Sequence, residues 1–253
     1  MTSANSPGPP AAALDTLLVD LRSPDPSVRD DGAYSTAARW IPVLDASERY
    51  GLGDSVARHF ADTAVEARAF APLVLARIVE AGTWREEWWR AFCDWYPAET
   101  DLRGHDPALG WVHAAAHGAD LLAALAEHPG QRPLPLAECA VDRLLAPTDH
   151  LFDAQEDDRI ALALARILCH PELTEAQSEQ WLIPVSEAFR TGEPGPVPAW
   201  ASNTMRTLRM LYVLADRGVR RRNTDEAPRT PTHREPVLGA LARTLAIVAP
   251  CTG

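Results

Sequence analysis

Apolar residues recur every three or four positions along almost the whole chain, and prolines cut that pattern into segments of helical length. No other feature constrains the fold as much. Leu14, Leu17, Leu18 and Leu21 share one stripe of a first helix over 11–21, and Pro24 and Pro26 end it. Ser27 can cap a second helix that runs to about Leu44, with Ala33, Ala37, Trp40 and Ile41 inward. Further helical patterns lie near 52–63, 66–81, 84–95, 135–146, 155–169, 174–190, 200–217 and 235–249. Pro72 falls within the 66–81 segment, where it either opens the helix or kinks it. In the middle of the chain, Asp106 suits an N-cap, Pro107 the first helical position, and His128-Pro129-Gly130 a stop. These predict a central helix over 107–127. Strand patterns are nearly absent, with no sustained period-two run of β-branched or aromatic residues.

About eleven helices joined by Pro-rich turns predict an all-α chain, and roughly 40 residues per helix pair fits a HEAT-like α-solenoid of antiparallel pairs. Internal self-similarity is weak, so a compact bundle is the competing arrangement. The polar stretch 1–10 predicts a disordered tail ahead of a single helical-repeat domain, 11–253. Two stretches, 191–198 and 217–234, read as mobile loops. The second carries Arg220, Arg221 and Arg222, which could meet an acidic partner or stay solvated.

With 253 residues and 46% apolar content, the chain can bury a sizeable core. Its net charge of -11 disfavours nucleic acid and anionic membranes as partners. All 24 basic residues are Arg, which reads as compositional drift. No apolar run reaches the length of a membrane span, and the N-terminus lacks the charged-then-apolar pattern of a secretory signal. A soluble cytoplasmic protein is expected. Cys93, Cys139, Cys169 and Cys251 form no CxxC pair and read as scattered reduced thiols.

The densest chemistry lies in DLRGHDPALGWVHAAAHGAD, residues 101–120. His113, His117 and Asp120 stand at i, i+4 and i+7, the spacing of one helical face. Two such imidazoles can share a divalent metal ion, with Glu156, Asp157 or Asp158 completing the ligand set, or they can act as acid/base groups. They can equally satisfy buried polar partners between packed helices. Ala114 follows His113, so the HExxH mechanism has no general base here. Asp101 and Arg103 suit a carboxylate–guanidinium pair, although Arg103 could bind a substrate oxyanion instead. Trp111 is a candidate pocket wall or helix contact. Glu156, Asp157 and Arg159 open a helix whose dipole favours acids in its first turn. Asn203 and Arg206 stand one turn apart on a later helix. The chain has no nucleophile elbow, phosphate loop or dinucleotide fingerprint.

These clusters, in this order, resemble the bacterial family labelled DUF2785. The resemblance rests on DLRG at Asp101–Gly104, GWVHAAAHGADLL at Gly110–Leu122 and EDDR at Glu156–Arg159. Weaker matches are RDDGAY at Arg29–Tyr34, RAFAPLVLA at Arg68–Ala76 and NTMRTLRMLY at Asn203–Tyr212. Ala69 and Ala71 stand where the family's RSFS-like form places hydroxyls. The resemblance implies an all-helical, HEAT-like fold and groups the clusters into one site, without implying a reaction or cofactor.

The expectation is therefore a polar groove, floored by helix 107–127, that binds and processes a small molecule or peptide. His113, His117 and Asp120 would carry the chemistry, and Asp120 or Asp101 would orient an imidazole. Asp101, Arg103, Trp111, Glu156, Asp157, Arg159, Asn203 and Arg206 would surround the ligand. The alternative is a non-catalytic scaffold for a protein partner, in which these residues form a structural network.

Overall fold

The computed structural model describes residues 11–192, 195–220 and 226–252. The 1–10 tail, and Arg221 and Arg222 of the 217–234 loop, lie outside the described residues. The chain is mostly helical. Helix α1 covers Ala11–Asp20. The expected second helix is three windings in series: a π-helical stretch Ser27–Tyr34, α2 at Ser35–Trp40, and a 3-10 turn Ile41–Val43. Helix α3, Ala46–Ala57, starts earlier than its apolar pattern suggested. Asp45 accepts the Glu48 N–H and Glu48 accepts the Asp45 N–H, both at 2.8 Å, and this capping box sets the start.

Helix α4 is Val65–Glu80 and carries Pro72 inside it, so the helix continues through the proline. Then come α5 (Glu86–Trp95), α6 (Ala114–Leu125), α7 (Pro133–Leu145) and α8 (Glu156–Leu168). The single helix expected over 174–190 is two, α9 (Glu175–Gln180) and α10 (Ile183–Arg190). Pro184 lies in the first turn of α10, where its missing N–H breaks no helical bond, so the proline suits a new helix start there. Helices α11 (Ala199–Arg217) and α12 (Arg234–Val248) complete the set.

The central helix is also corrected. It begins at Ala114, not at 107. The preceding residues form a small antiparallel hairpin of β1, His105–Asp106, and β2, Gly110–Trp111. Asp106 uses its carboxylate to accept the N–H groups of Ala108 (2.8 Å) and Leu109 (3.0 Å), closing a turn instead of capping a helix. Gly110, at φ +70°, holds a conformation that a helix cannot continue through.

Packing runs in sequence order. Helix α4 lies on α6, α6 on α8, α8 on α11, and α11 on α12. Helix α3 packs on α4 and α5, while α7 packs on α6, α8 and α11. Helix α6 is thus enclosed, and every one of its residues except Asp120 is buried. Its run of alanines lets neighbours approach from several sides. Leu121, Leu122 and Leu125 fill the remaining space, each contributing about 1.5–3 kcal/mol on burial. The buried Arg143 of α7 donates Nη1 to the carbonyls of Tyr96 (2.9 Å) and Glu99 (2.7 Å), closing the end of α5. The thiols of Cys93 on α5 and Cys139 on α7 are free, with Sγ atoms 3.8 Å apart. Among the described residues no helix is long and apolar enough to cross a membrane.

Candidate functional site

Helices α4, α6 and α8 border a groove of about 930 Å³, with α6 as its floor. His117, Asp120, Ala123 and Ala124 come from α6, Arg77 and Glu80 from α4, and Arg159 and Arg166 from α8. Tyr34, Glu127 and His128 complete its polar rim. Of the residues expected from the sequence, the groove gathers His117, Asp120 and Arg159. Arg159 grips Asp120 through two guanidinium nitrogens, with Nε 3.0 Å from Oδ1. That pair ties α8 to α6 with the bidentate geometry specific to guanidinium.

His117 is buried and its tautomer is fixed. Its Nδ1 lies 2.9 Å from the Ala69 carbonyl oxygen. A carbonyl only accepts, so Nδ1 carries the proton and Nε2 keeps a lone pair. Burial pushes the His117 pKa down to about 3, so the ring is neutral near neutral pH. The Phe70 ring meets it edge-on, with centroids 5.2 Å apart.

His113 is not on the helix. It is the residue before α6, in the left-handed region at φ 53°, and its carbonyl accepts the first helical bond, from His117 N–H at 2.9 Å. Its ring still lies close to His117, centroids 5.7 Å apart, and it tilts against Trp111 at 4.4 Å. His113 Nε2 donates to the Ala154 carbonyl at 3.1 Å and lies 3.4 Å from Glu156 Oε1. Desolvation lowers the His113 pKa, and Glu156 opposes that shift. The expected orienting carboxylates are corrected accordingly: backbone carbonyls, not Asp120 or Asp101, hold both imidazoles. Among the described residues no group of three or more His, Cys, Asp or Glu side chains is set to hold a metal ion.

Glu156 is fully buried at the start of α8. Its Oε2 accepts the Ala154 N–H at 2.9 Å, and Oε1 has no hydrogen-bond partner. The helix dipole favours a carboxylate at this position. Gly104 is forced by the same contact, since a Cβ there would lie 2.5 Å from Glu156 Oε1 and 2.3 Å from Ala154 Cβ. Gly118 answers to packing in turn, with the Tyr96 ring 2.1 Å from where its Cβ would be.

The remaining expected residues build the scaffold beside the groove. Arg103 bridges Asp101, with Nη2 to Oδ2 at 2.6 Å, and Asp106, with Nη1 to Oδ2 at 2.5 Å. The Arg103 guanidinium holds the Asp101 carboxyl below the usual range. Trp111 is 47% exposed and packs edge-on against His105 at 4.9 Å. Asp157 pairs with Arg206 at 2.7 Å, and Arg206 also donates to the Phe152 carbonyl at 2.6 Å. Asn203 is buried and clamps the 150–152 loop, accepting from Phe152 N–H and donating to the His150 carbonyl, both at 2.9 Å.

Sequence reasoning passed over two residues that position these parts. Arg29 is fully buried, lies 4.7 Å from the Phe70 ring centroid, and donates to the carbonyls of Leu109 (2.7 Å) and Trp111 (3.2 Å). Glu99 receives Arg68 at 2.6 Å and 3.0 Å, the Trp95 indole at 2.8 Å, and the Asp101 N–H at 2.9 Å. The RDDGAY stretch carried a signal for Arg29. Nothing local marked Glu99.

No curated protein and no solved structure matches the chain. A family described as "Protein of unknown function (DUF2785)" matches residues 57–213, a span that runs from the end of α3 through most of α11 and holds the groove's α4, α6 and α8. With DLRG, GWVHAAAHGAD and EDDR all inside that span, and the match covering more than half its length, the chain belongs to the DUF2785 family.

Proposed function

We propose that this chain is a HEAT-like helical-repeat protein that binds a small molecule or short peptide in the groove along α4, α6 and α8. The observation that carries the reading is His117. It is a neutral imidazole in the groove lining, its proton is committed to Ala69, and no protein group among the described residues hydrogen-bonds its Nε2. A lone pair so placed accepts a hydrogen bond from a ligand N–H or O–H. The groove volume falls in the range of small-molecule sites. The sequential packing of α4, α6, α8 and α11 supports the repeat arrangement.

Binding is better supported than proton transfer. A ring held near pKa 3 is a weak base at neutral pH, far from the matched value that general base catalysis needs. A cytoplasmic location belongs to the same proposal. The test is a saturation-transfer NMR screen of fragments and tripeptides against the full chain and Leu162→Trp, which fills the groove from α8. Hits that vanish in Leu162→Trp support the reading. An empty screen, or hits that survive the filling, would sink it.

A further inference from the structure

The acids and cations of the groove can be matched one by one. Asp120 is held by Arg159, with Nε–Oδ1 at 3.0 Å. Glu80 is held by Arg77 at 3.0 Å. Glu127 is held at 2.9 Å by Arg229, which approaches from outside the lining. Arg166 is left over. It lines the groove, is half-buried, and has no hydrogen-bond or ion-pair partner among the described residues. It follows Arg159 by seven residues on α8, two turns along the same face. A guanidinium that lines an open groove with no counter-charge among the described residues is placed to pair with an anion from outside the chain. Its planar fork matches the two oxygens of a carboxylate or phosphate.

We infer that the groove takes a ligand bearing an oxyanion, a carboxylate or a phosphate, and that Arg166 anchors it. The inference rests on the groove-binding proposal and names the class of ligand. Arg159 lies along the same face but is partly neutralised by Asp120. His117 Nε2 adds an acceptor, so the oxyanion ligand should also carry an N–H or O–H donor. A peptide C-terminus or an amino-acid derivative meets both demands, and so does a phosphorylated hydroxy compound.

The experiment is a titration of the full chain, read by backbone amide shifts in NMR. The probes are inorganic phosphate, an N-acetyl dipeptide with a free carboxylate, and the amide of that dipeptide. The variants are Arg166→Gln and the exposed, remote Arg90→Gln. Because Arg166 makes no side-chain bond among the described residues, Arg166→Gln should melt like the parent. The expected result is shifts at α6 and α8, binding of the free acid or phosphate about tenfold tighter than the amide, and about tenfold loss in Arg166→Gln alone. Phosphate preferred over the acid, with the same loss, supports the anchor and assigns a phosphoryl group. Equal binding of acid and amide overturns the oxyanion inference while leaving the groove reading intact. So does binding unchanged by Arg166→Gln, or equally weakened by Arg90→Gln. If no probe binds and the fragment screen is also empty, both readings fall.

Discussion

His117 shows how one side chain acquires its character from distant backbone. Its four-residue spacing from His113 is legible in the sequence, and the two rings do lie together. The atoms left for chemistry are not legible, because the carbonyls that fix the tautomers, Ala69 and Ala154, lie 48 residues from His117 and 41 residues from His113 respectively. Burial gives a measurable consequence. The folded-state pKa of about 3 is below the ordinary imidazole value of 6.5, so the unfolded chain takes this proton first as pH falls. Stability from this group is complete above pH 6.5. It then declines by about 1.4 kcal/mol per pH unit until the folded ring titrates near pH 3. His59 and His113, both shifted downward by burial, add to the wild-type slope. Urea unfolding between pH 7 and pH 4 should therefore give a shallower slope for His117→Gln than for the parent. Parallel slopes would contradict a buried, neutral His117.

At the scale of elements, helix existence was largely legible, because apolar spacing and proline positions are local signals. The hairpin was not. Asp106-Pro107 can begin a helix or close a turn, and the sequence nearby does not choose. Arg29 does, from 80 residues away, by binding the carbonyls of Leu109 and Trp111 that a helix would have turned inward on itself. The hairpin then extends through Val112 N–H to the Gly104 carbonyl (2.9 Å) and His113 N–H to the Arg103 carbonyl (3.0 Å). Arg29→Ala should destabilise the chain by about 1–3 kcal/mol for each carbonyl left unpaired. Hydrogen exchange at the Val112 and His113 amides should accelerate more than at the centre of α6. Protection retained at both amides would show that the hairpin stands without Arg29.

For the whole molecule, the all-α class and the position of the polar clusters were legible in the sequence, but not which polar residues line the groove. Asp101, Arg103, Asn203 and Arg206 all find partners within the chain, because each loop between stacked helices must satisfy its own backbone and charges. Tyr34, Arg77 and Arg166 enter the groove from segments that looked like ordinary helix surface. Only the sequential packing of α4, α6 and α8 brings those faces together. That packing depends on contacts between distant residues, which no local pattern encodes.

The two thiols between α5 and α7 give this architecture a topological consequence. A bond between Cys93 and Cys139, 46 positions apart, would close a covalent ring that contains the hairpin and the floor of the groove. Their sulfurs need to approach from 3.8 Å to about 2.05 Å, a small displacement for two side chains on neighbouring helices. Closing a loop of that length removes unfolded-state freedom worth about 4 kcal/mol, less any distortion of the folded state. Treatment with a thiol oxidant should raise the melting temperature of the parent and leave Cys93→Ser unchanged. The ring would hold the hairpin and α6 in one loop while α4 and α8 stayed outside it. Oxidation would therefore link the groove's floor, but not its walls, into a unit that cannot be drawn out as a linear chain.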